Sequence, residues 1–319
     1  MEINKNTLQI YAKKFQKLSQ GVTQYGKAPH KPILLITFIE LFEKRLLTEN
    51  RILIIPELIA VFKENFALLV KTPHKDDFTQ PFFYLQSEKF WTLLAKDGNK
   101  IGTYIRSVNS LDELLDYGYF DKELFELFTN DYCRLYLKNT LLETYFNESK
   151  KDFLRVKNSG RSYLEDLEKY ILNEKEGIYL PLVQTFNDED GKFVRGGLFK
   201  KLVPKVYNFT CAISEMRIIA YDGSSLVEAC HIKPFSISGD DKVTNGIALC
   251  PNLHTAFDKG LISIDDKLKV VVSKRFHEES KSIYNLRQFH NKSILLPFGE
   301  MHYPQIQNFQ WHFKTKFLK

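Results

Sequence analysis

The chain has 319 residues, a length that suggests two domains, each large enough to bury a core. Its content of 44% hydrophobic and 26% charged residues is typical of a globular protein and argues against a largely disordered chain. With 45 Lys and Arg against 39 Asp and Glu, the net charge of +6 permits an anionic partner and excludes a strongly acidic protein.

The N-terminal residues lack the apolar segment of a signal peptide. The longest apolar run, residues 33–42, is far shorter than the roughly 20 residues that a membrane span needs. The four cysteines are widely spaced and form no Cys-x-x-Cys pair, so they do not suggest a disulfide scaffold. We therefore expect a cytoplasmic protein without membrane contacts.

Residues 1–148 are predicted to be mainly helical. Apolar residues recur at helical spacing over 33–42, where Pro32 suits a first turn, and again over 124–146. The polar stretch from 148 to 162 lacks this periodicity and indicates a linker. We assign residues 149–177 to that linker, including a short helix near 163–175.

From residue 178 the pattern changes to short strands and helices. The segments NFTCAIS (208–214) and SSLVEACHI (224–232) predict two strands, the second ending near His231. CPNLHTAFDKG (250–260) predicts a short helix closed by Gly260. The fold class expected from these patterns is α+β, with a mainly helical domain at 1–148 and a second domain at 178–319.

Four residues of the second domain form a pattern suited to metal-dependent chemistry. His254 and Asp258 are four residues apart on the predicted helix, so they share a face and could hold one metal ion. His231 could reach the far side of that ion, and Asn245 could bridge backbone groups of the intervening loop. Each residue alone has an ordinary explanation as a surface or turn residue, but their joint occurrence predicts a nuclease site.

The segments LVEACHIKPF and NGIALCPNLHTAFDKGLISID carry this pattern and resemble the HNH nuclease family over about residues 207–267. The resemblance implies two strands and a helix around one divalent metal ion. It implies that His231 is the general base that activates water, and that Asn245 holds the loop and orients this base. It also implies that His254 and Asp258 bind the metal, which would stabilise charge on the scissile phosphate and the leaving 3′ oxygen.

Cys230 is a departure from the pattern, because many family members have an Asp or His there as a further metal ligand. Either its thiolate binds a soft metal such as zinc, or the ion relies on His254, Asp258 and water. We favour the second arrangement, with Mg or Mn as the ion and with Zn, Co or Ni as alternatives. Glu228 is a weaker ligand candidate, since it does not share a strand face with His231.

A second departure concerns structural zinc, which many relatives bind with two Cys-x-x-Cys pairs. Here the corresponding segments read CAIS (211–214) and CPNL (250–253), so half of the ligands are missing. We therefore predict no structural zinc, and we expect Cys211 and Cys250 to be small buried side chains.

A basic stretch precedes the predicted site, with five cations in 14 residues and no acid among them. Its members are Lys192, Arg195, Lys200, Lys201 and Lys205. Phosphate contact, for which Arg195, Lys200 and Lys201 are our candidates, and an ordinary solvated helix face are equally compatible with this stretch.

The first domain contains two distinctive segments, YGKAPHKPILL (25–35) and QPFFYLQSEKFW (80–91). A rigid loop of basic and aromatic residues before a buried helix suits phosphate or base contact, although it could equally be a capping loop with its aromatics packed inward. Both segments resemble the sulfur-binding domains of modification-dependent restriction endonucleases, which recognise phosphorothioate DNA. The resemblance covers about residues 10–150.

This second resemblance implies a set of DNA-binding residues in which a cation and an apolar wall receive the sulfur atom. Sulfur is softer and less hydrated than the oxygen it replaces, so apolar contacts can favour it. Lys31 stands where an Arg is common, which removes a bidentate fork, and a methylated base or unmodified sequence is an alternative target. The residues are Tyr25, Lys27, His30 and Lys31 in the first segment, and Gln80, Pro81 and Phe82 in the second.

The expected function is a modification-dependent restriction endonuclease that hydrolyses double-stranded DNA. Two alternatives remain: an HNH endonuclease that reads unmodified or methylated sequence, and an inactive DNA-binding regulator that kept the fold. Cleavage of both strands by a nuclease with one site would be easiest for a homodimer.

Overall fold

The computed structural model describes residues 5–160, 162–174, 188–279, 282 and 284–319. The chain divides into two compact units, Met1–Glu165 with Tyr179–Val194 and Asp166–Ile178 with Arg195–Lys319. Over the described ranges, no helix combines the length and apolar character that crossing a bilayer requires.

The first unit is mainly helical and contains two small antiparallel sheets, β1–β2 and β3–β4. Its helices are α1 (Lys5–Gln16), α2 (His30–Glu43), α3 (Pro56–Leu69), α4 (Thr79–Tyr84), α5 (Val108–Leu114), α6 (Lys122–Thr129), α7 (Asp131–Tyr145) and α8 (Asn147–Lys157). Its strands are β1 (Val22–Thr23), β2 (Gly26–Lys27), β3 (Trp91–Ala95) and β4 (Leu115–Phe120).

Helix α2 is the centre of this unit, because it is apolar on nearly every face and packs between α3 and α7. The predicted helix over 33–42 is thus confirmed. The stretch 124–146 forms two helices rather than one, since the Asn130 side chain accepts a hydrogen bond from the Cys133 amide and begins α7.

Glu40 is a buried acid on α2 that is paired with two lysines from later helices. Its carboxylate lies 3.0 Å from Lys138 Nζ and 3.1 Å from Lys157 Nζ. Burial would raise the pKa of Glu40, but Lys157 and Lys138 hold it below its usual value. A charge this deeply buried needs such partners, so α8 is bound to the first unit through Lys157.

The observed division differs from the predicted linker that begins at residue 149. Helix α8 crosses that predicted boundary, and Phe153 within it is fully buried. The polar sequence conceals this packing because only a few residues of the helix face inward. The first unit therefore extends to Glu165.

Two of the three breaks between the units fall within helices α9 (Tyr163–Ile171) and α10 (Glu189–Val206). The second unit also contains the helices α11 (Phe235–Ser238), α12 (Pro251–Asp258) and α13 (Ile306–Thr315). Its strands are β5 (Glu228–His231), β6 (Gly246–Leu249), β7 (Ile262–Ile264) and β8 (Val270–Val272).

The hairpin at the site pairs β5 with β6 in antiparallel register, with Cys230 opposite Ile247 and His231 opposite Gly246. The predicted strand at 208–214 is wrong, because these residues form turns with positive φ at Asn208 and Phe209. The predicted helix at 250–260 is confirmed as α12, and Gly260 ends it with a φ of +69°.

Candidate active site

One pocket of the second unit, about 520 Å³ in volume, brings together three of the four residues singled out by spacing. His231 reaches it from the end of β5, and His254 and Asp258 reach it from α12. Lys200 of α10 also lines this pocket. The pocket is also lined by His312 of α13 and by Lys316. Two cations, three imidazoles and a carboxylate around one cavity can bind an anionic substrate and exchange protons with it.

A candidate metal-binding group lies beside this pocket and consists of Cys230, His254 and Asp258. Their donor atoms all lie within 4.8 Å of one another. His254 Nε2 is 3.5 Å from Asp258 Oδ2, as expected for residues four apart on a helix, and Cys230 Sγ is 4.0 Å from Asp258 Oδ1.

The chemistry of these donors fits a divalent cation. Burial raises the pKa of the Cys230 thiol well above its usual value, and the carboxylates of Asp258 and Glu228 raise it further. A bound cation would offset the repulsion between the thiolate and these carboxylates. Sulfur, nitrogen and oxygen donors together suit a transition metal, whereas a hard ion would use the Asp258 oxygen and the His254 nitrogen with water.

Glu228 contacts the predicted metal ligand His254 from the other side. Its Oε2 lies 2.7 Å from His254 Nδ1. Because a carboxylate only accepts hydrogen bonds, Nδ1 carries the proton, and Nε2 is left facing Asp258. The sequence marks Glu228 only as a weak ligand candidate and does not indicate this contact.

His231 is held between an aromatic ring and a buried carboxylate. Its ring stacks on Phe199 of α10, with the ring centres 3.8 Å apart and the planes within 6° of parallel. Its Nε2 lies 3.2 Å from Oδ1 of Asp241, which is 4% exposed. The other oxygen of Asp241 accepts a hydrogen bond from Arg195 Nε at 3.3 Å.

Asp241 is a partner of His231 that no sequence pattern indicates, and Arg195 has a different environment from the predicted one. Asp241 gave no distinct signal, since it stands beside Asp240 in a polar loop where acids are usually solvated. Arg195 was predicted to contact DNA, whereas its guanidinium lies against the buried Asp241 and thereby supports the contact to His231.

Asn245 closes the loop between the two strands of the hairpin and is fully buried. Its Oδ1 accepts a hydrogen bond from the Lys233 amide at 3.0 Å. Its Nδ2 donates to the carbonyl oxygens of Lys233 at 2.9 Å and of Asp240 at 3.0 Å. One side chain therefore joins the two ends of the loop that carries Asp241.

In the first unit, the two distinctive sequence segments meet at a pocket of about 380 Å³. His30, Lys31, Gln80 and Pro81 line this pocket, although the two segments are about 50 residues apart in the chain. His30 and Gln80 also line a neighbouring pocket of about 620 Å³ together with Tyr25. We call these two cavities the paired pockets.

His30 and Lys31 have different environments within the paired pockets. His30 Nε2 lies 2.7 Å from the Lys75 carbonyl oxygen, while its buried Nδ1 has no hydrogen-bond partner among the described residues. Burial lowers the pKa of His30, which favours the neutral ring. Lys31 Nζ lies 2.6 Å from Glu88 Oε1, so its charge is largely neutralised by that carboxylate.

Two residues predicted to contact DNA lie outside the paired pockets. Phe82 is fully buried and packs on Trp91, whose indole N–H donates to the Phe82 carbonyl oxygen at 2.9 Å. The Phe82 side chain belongs to the core, so it does not form the predicted wall of a binding pocket. Its position on α4 turns it inward. Lys27 is exposed on β2.

Residues 211–265 match the family model described as an HNH endonuclease. A solved structure described as the modification dependent TagI restriction endonuclease is 24% identical over 38% of this chain and 38% of its own length, with a TM-score of 0.31. The aligned part is thus well under two thirds of that protein. A comparison with curated proteins finds no match.

The protein is therefore an α+β chain with an HNH domain towards its C-terminus. The matched range contains the β5–β6 hairpin and α12, and it includes His231, Asn245, His254 and Asp258. The basic helix α10 precedes the HNH domain in sequence and stacks Phe199 on His231. Lys200 and Lys201 are both exposed on this helix.

Proposed function

We propose that this protein is a metal-dependent DNA endonuclease whose first unit selects modified DNA. The observation that carries the nuclease proposal is one pocket lined by His231, His254 and Asp258 within the range that matches the HNH endonuclease family. The fit of the Cys230, His254 and Asp258 donors to a divalent cation supports it further.

The residues of the pocket have distinct roles in this proposal. Asp241 holds Nε2 of His231, so Nδ1 is the ring nitrogen that takes a proton from the attacking water. Asn245 keeps the loop that carries Asp241 in place, and Lys200 contacts the phosphate. A divalent ion held by His254 and Asp258 would supply positive charge to the scissile phosphate.

The paired pockets of the first unit are the proposed reading site, and phosphorothioate is the proposed modification. The apolar ring of Pro81 and the neutral imidazole of His30 suit a soft, weakly hydrated sulfur atom. Because Lys31 is paired with Glu88 and both diesters carry the same charge, the preference for sulfur would come from the apolar contacts and not from this cation. We further propose that the substrate is double-stranded, that cleavage of both strands uses a homodimer, and that the protein acts in the cytoplasm.

The decisive experiment is a cleavage assay on three versions of one duplex: phosphorothioated, methylated and plain. Each duplex is tested with Mg, Mn, Co, Ni and Zn. We expect cleavage of the phosphorothioated duplex and its loss in His231→Ala, which leaves the metal-binding group intact.

The other outcomes distinguish the alternative functions. Equal cleavage of all three duplexes would remove the modification claim and leave an HNH nuclease that reads ordinary sequence. Preference for the methylated duplex would identify a methylated base, and not phosphorothioate, as the target. DNA binding without cleavage under every metal would identify an inactive regulator and contradict the nuclease proposal.

A further inference from the structure

Two cysteines in the second unit lie close together although they are 39 residues apart in the chain. Cys211 Sγ lies 3.8 Å from Cys250 Sγ, within the distance of a hydrogen bond between two thiols. Both residues are buried, with Cys211 fully buried and Cys250 4% exposed. Neither residue belongs to the candidate metal-binding group.

Backbone hydrogen bonds around both residues bring these two cysteines together. The amide of Ala212, next to Cys211, donates to the Ala248 carbonyl oxygen at 2.7 Å on strand β6. The amide of Cys211 donates to the Met216 carbonyl oxygen at 2.9 Å, which closes a turn. Cys250 directly follows β6 and precedes the first residue of α12. The two Cα positions are therefore fixed by hydrogen-bonded backbone on both sides.

The polar surroundings of the pair favour a thiolate. The contact with Cys250, together with Ser214, lowers the pKa of the Cys211 thiol below its usual value. The Ser214 amide donates to Cys211 Sγ at 3.5 Å. Cys250 Sγ also lies 2.9 Å from Oδ1 of Asn252, which is exposed, so the pair is just beneath the surface. A thiolate close to a second thiol and near solvent has the requirements for disulfide exchange.

We propose that Cys211 and Cys250 form an intramolecular disulfide when the protein meets a disulfide oxidant such as oxidised glutathione. The thiolate of one cysteine attacks the oxidant's disulfide and releases one glutathione thiolate, which forms a mixed disulfide. The second cysteine, after losing its proton, attacks the protein sulfur of that mixed disulfide and releases the second glutathione. In total, two thiols lose two protons and two electrons, and one oxidised glutathione is reduced to two molecules of glutathione.

The bond requires only a small movement of the side chains. In this proposal the side chains rotate so that the sulfur atoms approach from 3.8 Å to about 2.05 Å. The crosslink closes a loop of the chain that contains β5, which carries His231. The same loop contains the segment that Asn245 holds by hydrogen bonds. The crosslink also attaches the N-terminus of α12, which carries His254 and Asp258, to the turn at Cys211. Oxidation therefore restricts the unfolded chain and stabilises the unit that holds the candidate active site.

The test treats the purified, reduced full-length protein with oxidised glutathione and maps disulfides by mass spectrometry of a digest made without reductant. We expect a loss of about 2 Da per chain, the mass of the two hydrogens removed in this exchange, and one crosslinked peptide pair that contains Cys211 and Cys250. We also expect the midpoint of thermal unfolding to rise by roughly 5 °C and to return to its original value on reduction.

Three variants make the assignment specific. Cys133→Ser removes a buried cysteine outside this pair and should leave both the crosslink and the temperature shift intact. Cys211→Ser and Cys250→Ser should each abolish both effects. Mapping in the wild-type protein keeps the test valid even if one of these variants folds poorly.

Several outcomes would overturn the proposal. One is that both thiols remain reduced, or stop at stable glutathione adducts, under excess oxidant. Another is that the crosslink forms but involves Cys230 or Cys133. A third is that the purified protein retains zinc which protects Cys211 and Cys250 and which is released by Cys211→Ser. Loss of nuclease activity has no bearing on this test, because the readouts are a mass, a peptide and an unfolding temperature.

Discussion

His231 and His254 each contact a carboxylate that does not line the pocket. Asp241 contacts His231 from a buried position, and Glu228 contacts His254 at the edge of the hairpin. A carboxylate in this position fixes both the orientation of the ring and the nitrogen that carries the proton. The pattern gives the two histidines different tasks, since the nitrogen that these carboxylates do not hold differs: it is Nδ1 in His231 and Nε2 in His254.

Replacing Asp241 with Asn should slow DNA cleavage about 10- to 100-fold, because the amide no longer stabilises the proton on His231 Nε2. Metal affinity should be unchanged. Single-turnover cleavage and calorimetric metal titration measure the two effects. Asp240→Asn is the matched control, because that side chain accepts only from the Lys242 amide among the described residues. Equal rates for both variants would remove Asp241 from the positioning of the base.

Replacing Glu228 with Gln should instead weaken metal binding, by about 10- to 100-fold. The amide of Gln can offer its NH₂ group to Nδ1, which would move the ring proton to Nε2 and block the metal-facing nitrogen. Titration with Co²⁺ or Mn²⁺ measures this without requiring activity. Glu228→Asp, which keeps the charge on a shorter side chain, should recover part of the affinity. Unchanged affinity in Glu228→Gln would show that His254 needs no such partner.

Among the site residues, those with a fixed spacing along a helix were predictable from the sequence. Those that meet only because a loop folds back were not. His254 and Asp258 could be paired from helical periodicity alone, and the structure places them 3.5 Å apart. Asp241 reaches His231 only because the intervening loop folds back, and no periodicity describes that loop. Phe82 is a residue that the sequence placed in the site wrongly. Its neighbours Gln80 and Pro81 line a pocket, but the helix directs the Phe82 side chain into the core.

Among the secondary-structure elements, the contact between α10 and the β5–β6 hairpin sets the position of His231. Gly246 lies opposite His231 in the hairpin and faces α10. A Cβ at Gly246 would lie 2.6 Å from Val203 Cγ2 and 3.0 Å from the Phe199 ring. The absence of a side chain at Gly246 is therefore what lets Phe199 approach closely enough to stack on His231.

Gly246→Ala should destabilise the second unit by about 1–3 kcal/mol through overpacking, and it should slow cleavage because Phe199 is displaced. Denaturant unfolding and the cleavage rate measure both effects. Gly196→Ala on α10 is the control: its Cβ would meet no atom within 4 Å, so it should be neutral or stabilising by up to about 1 kcal/mol. If Gly246→Ala were as stable as Gly196→Ala, the proposed close packing would be wrong.

His312 on α13 is a buried histidine that joins this helix to two other elements. Its Nε2–H donates to the Phe257 carbonyl oxygen at 3.0 Å, and its Nδ1 accepts from Ser263 Oγ at 2.9 Å. Burial lowers the pKa of His312 from 6.5 to about 4. The unfolded chain thus takes up a proton at higher pH than the folded chain does, so stability is lost as pH falls from 6.5 towards 4.

We expect this loss to amount to about 3 kcal/mol across that pH window. The measurement compares the free energy of unfolding of wild type and His312→Gln at pH 7 and pH 4.5. The variant should be less stable at pH 7 but should show a smaller decrease on acidification. His277→Gln, at a histidine whose side chain is 90% exposed, is the control and should follow the wild-type profile. Parallel profiles for wild type and His312→Gln would contradict the assignment.

The elements themselves were predictable where one pattern repeats over several turns, as in α2 and α12. The hairpin was only half predicted, because β6 is a short, fully buried run whose alternation is invisible in sequence. NFTCAIS has the composition of a strand, yet its backbone turns so that the Cys211 amide donates to the Met216 carbonyl oxygen and the Ala212 amide donates to Ala248 in β6. Tertiary contacts thus overrode local propensity at this position.

For the whole molecule, the division into two compact units is consistent with separate sites for recognition and cleavage. Each unit has its own pocket lined by residues that the sequence singled out, and the HNH match falls entirely within the second unit. The existence of two units could be predicted from the chain length and from the change to short strands and helices at residue 178. The borders of the units could not be predicted. Glu64, which binds Lys157 and the amide of Tyr163, shows how contacts distant in sequence extend the first unit.

If recognition and cleavage are separate, variants of the two units should affect different measurements. Gln80 is exposed and lines both of the paired pockets, so Gln80→Ala should reduce the preference for phosphorothioated over plain DNA about tenfold, equivalent to about 1.4 kcal/mol. Lys27 is exposed but lines neither pocket, so Lys27→Ala should weaken binding to both duplexes equally and reduce the salt dependence. His231→Ala should leave both affinities unchanged and abolish cleavage. Binding is measured by fluorescence anisotropy at several salt concentrations. A changed preference in Lys27→Ala, together with an unchanged one in Gln80→Ala, would place recognition at Lys27 and remove it from the paired pockets.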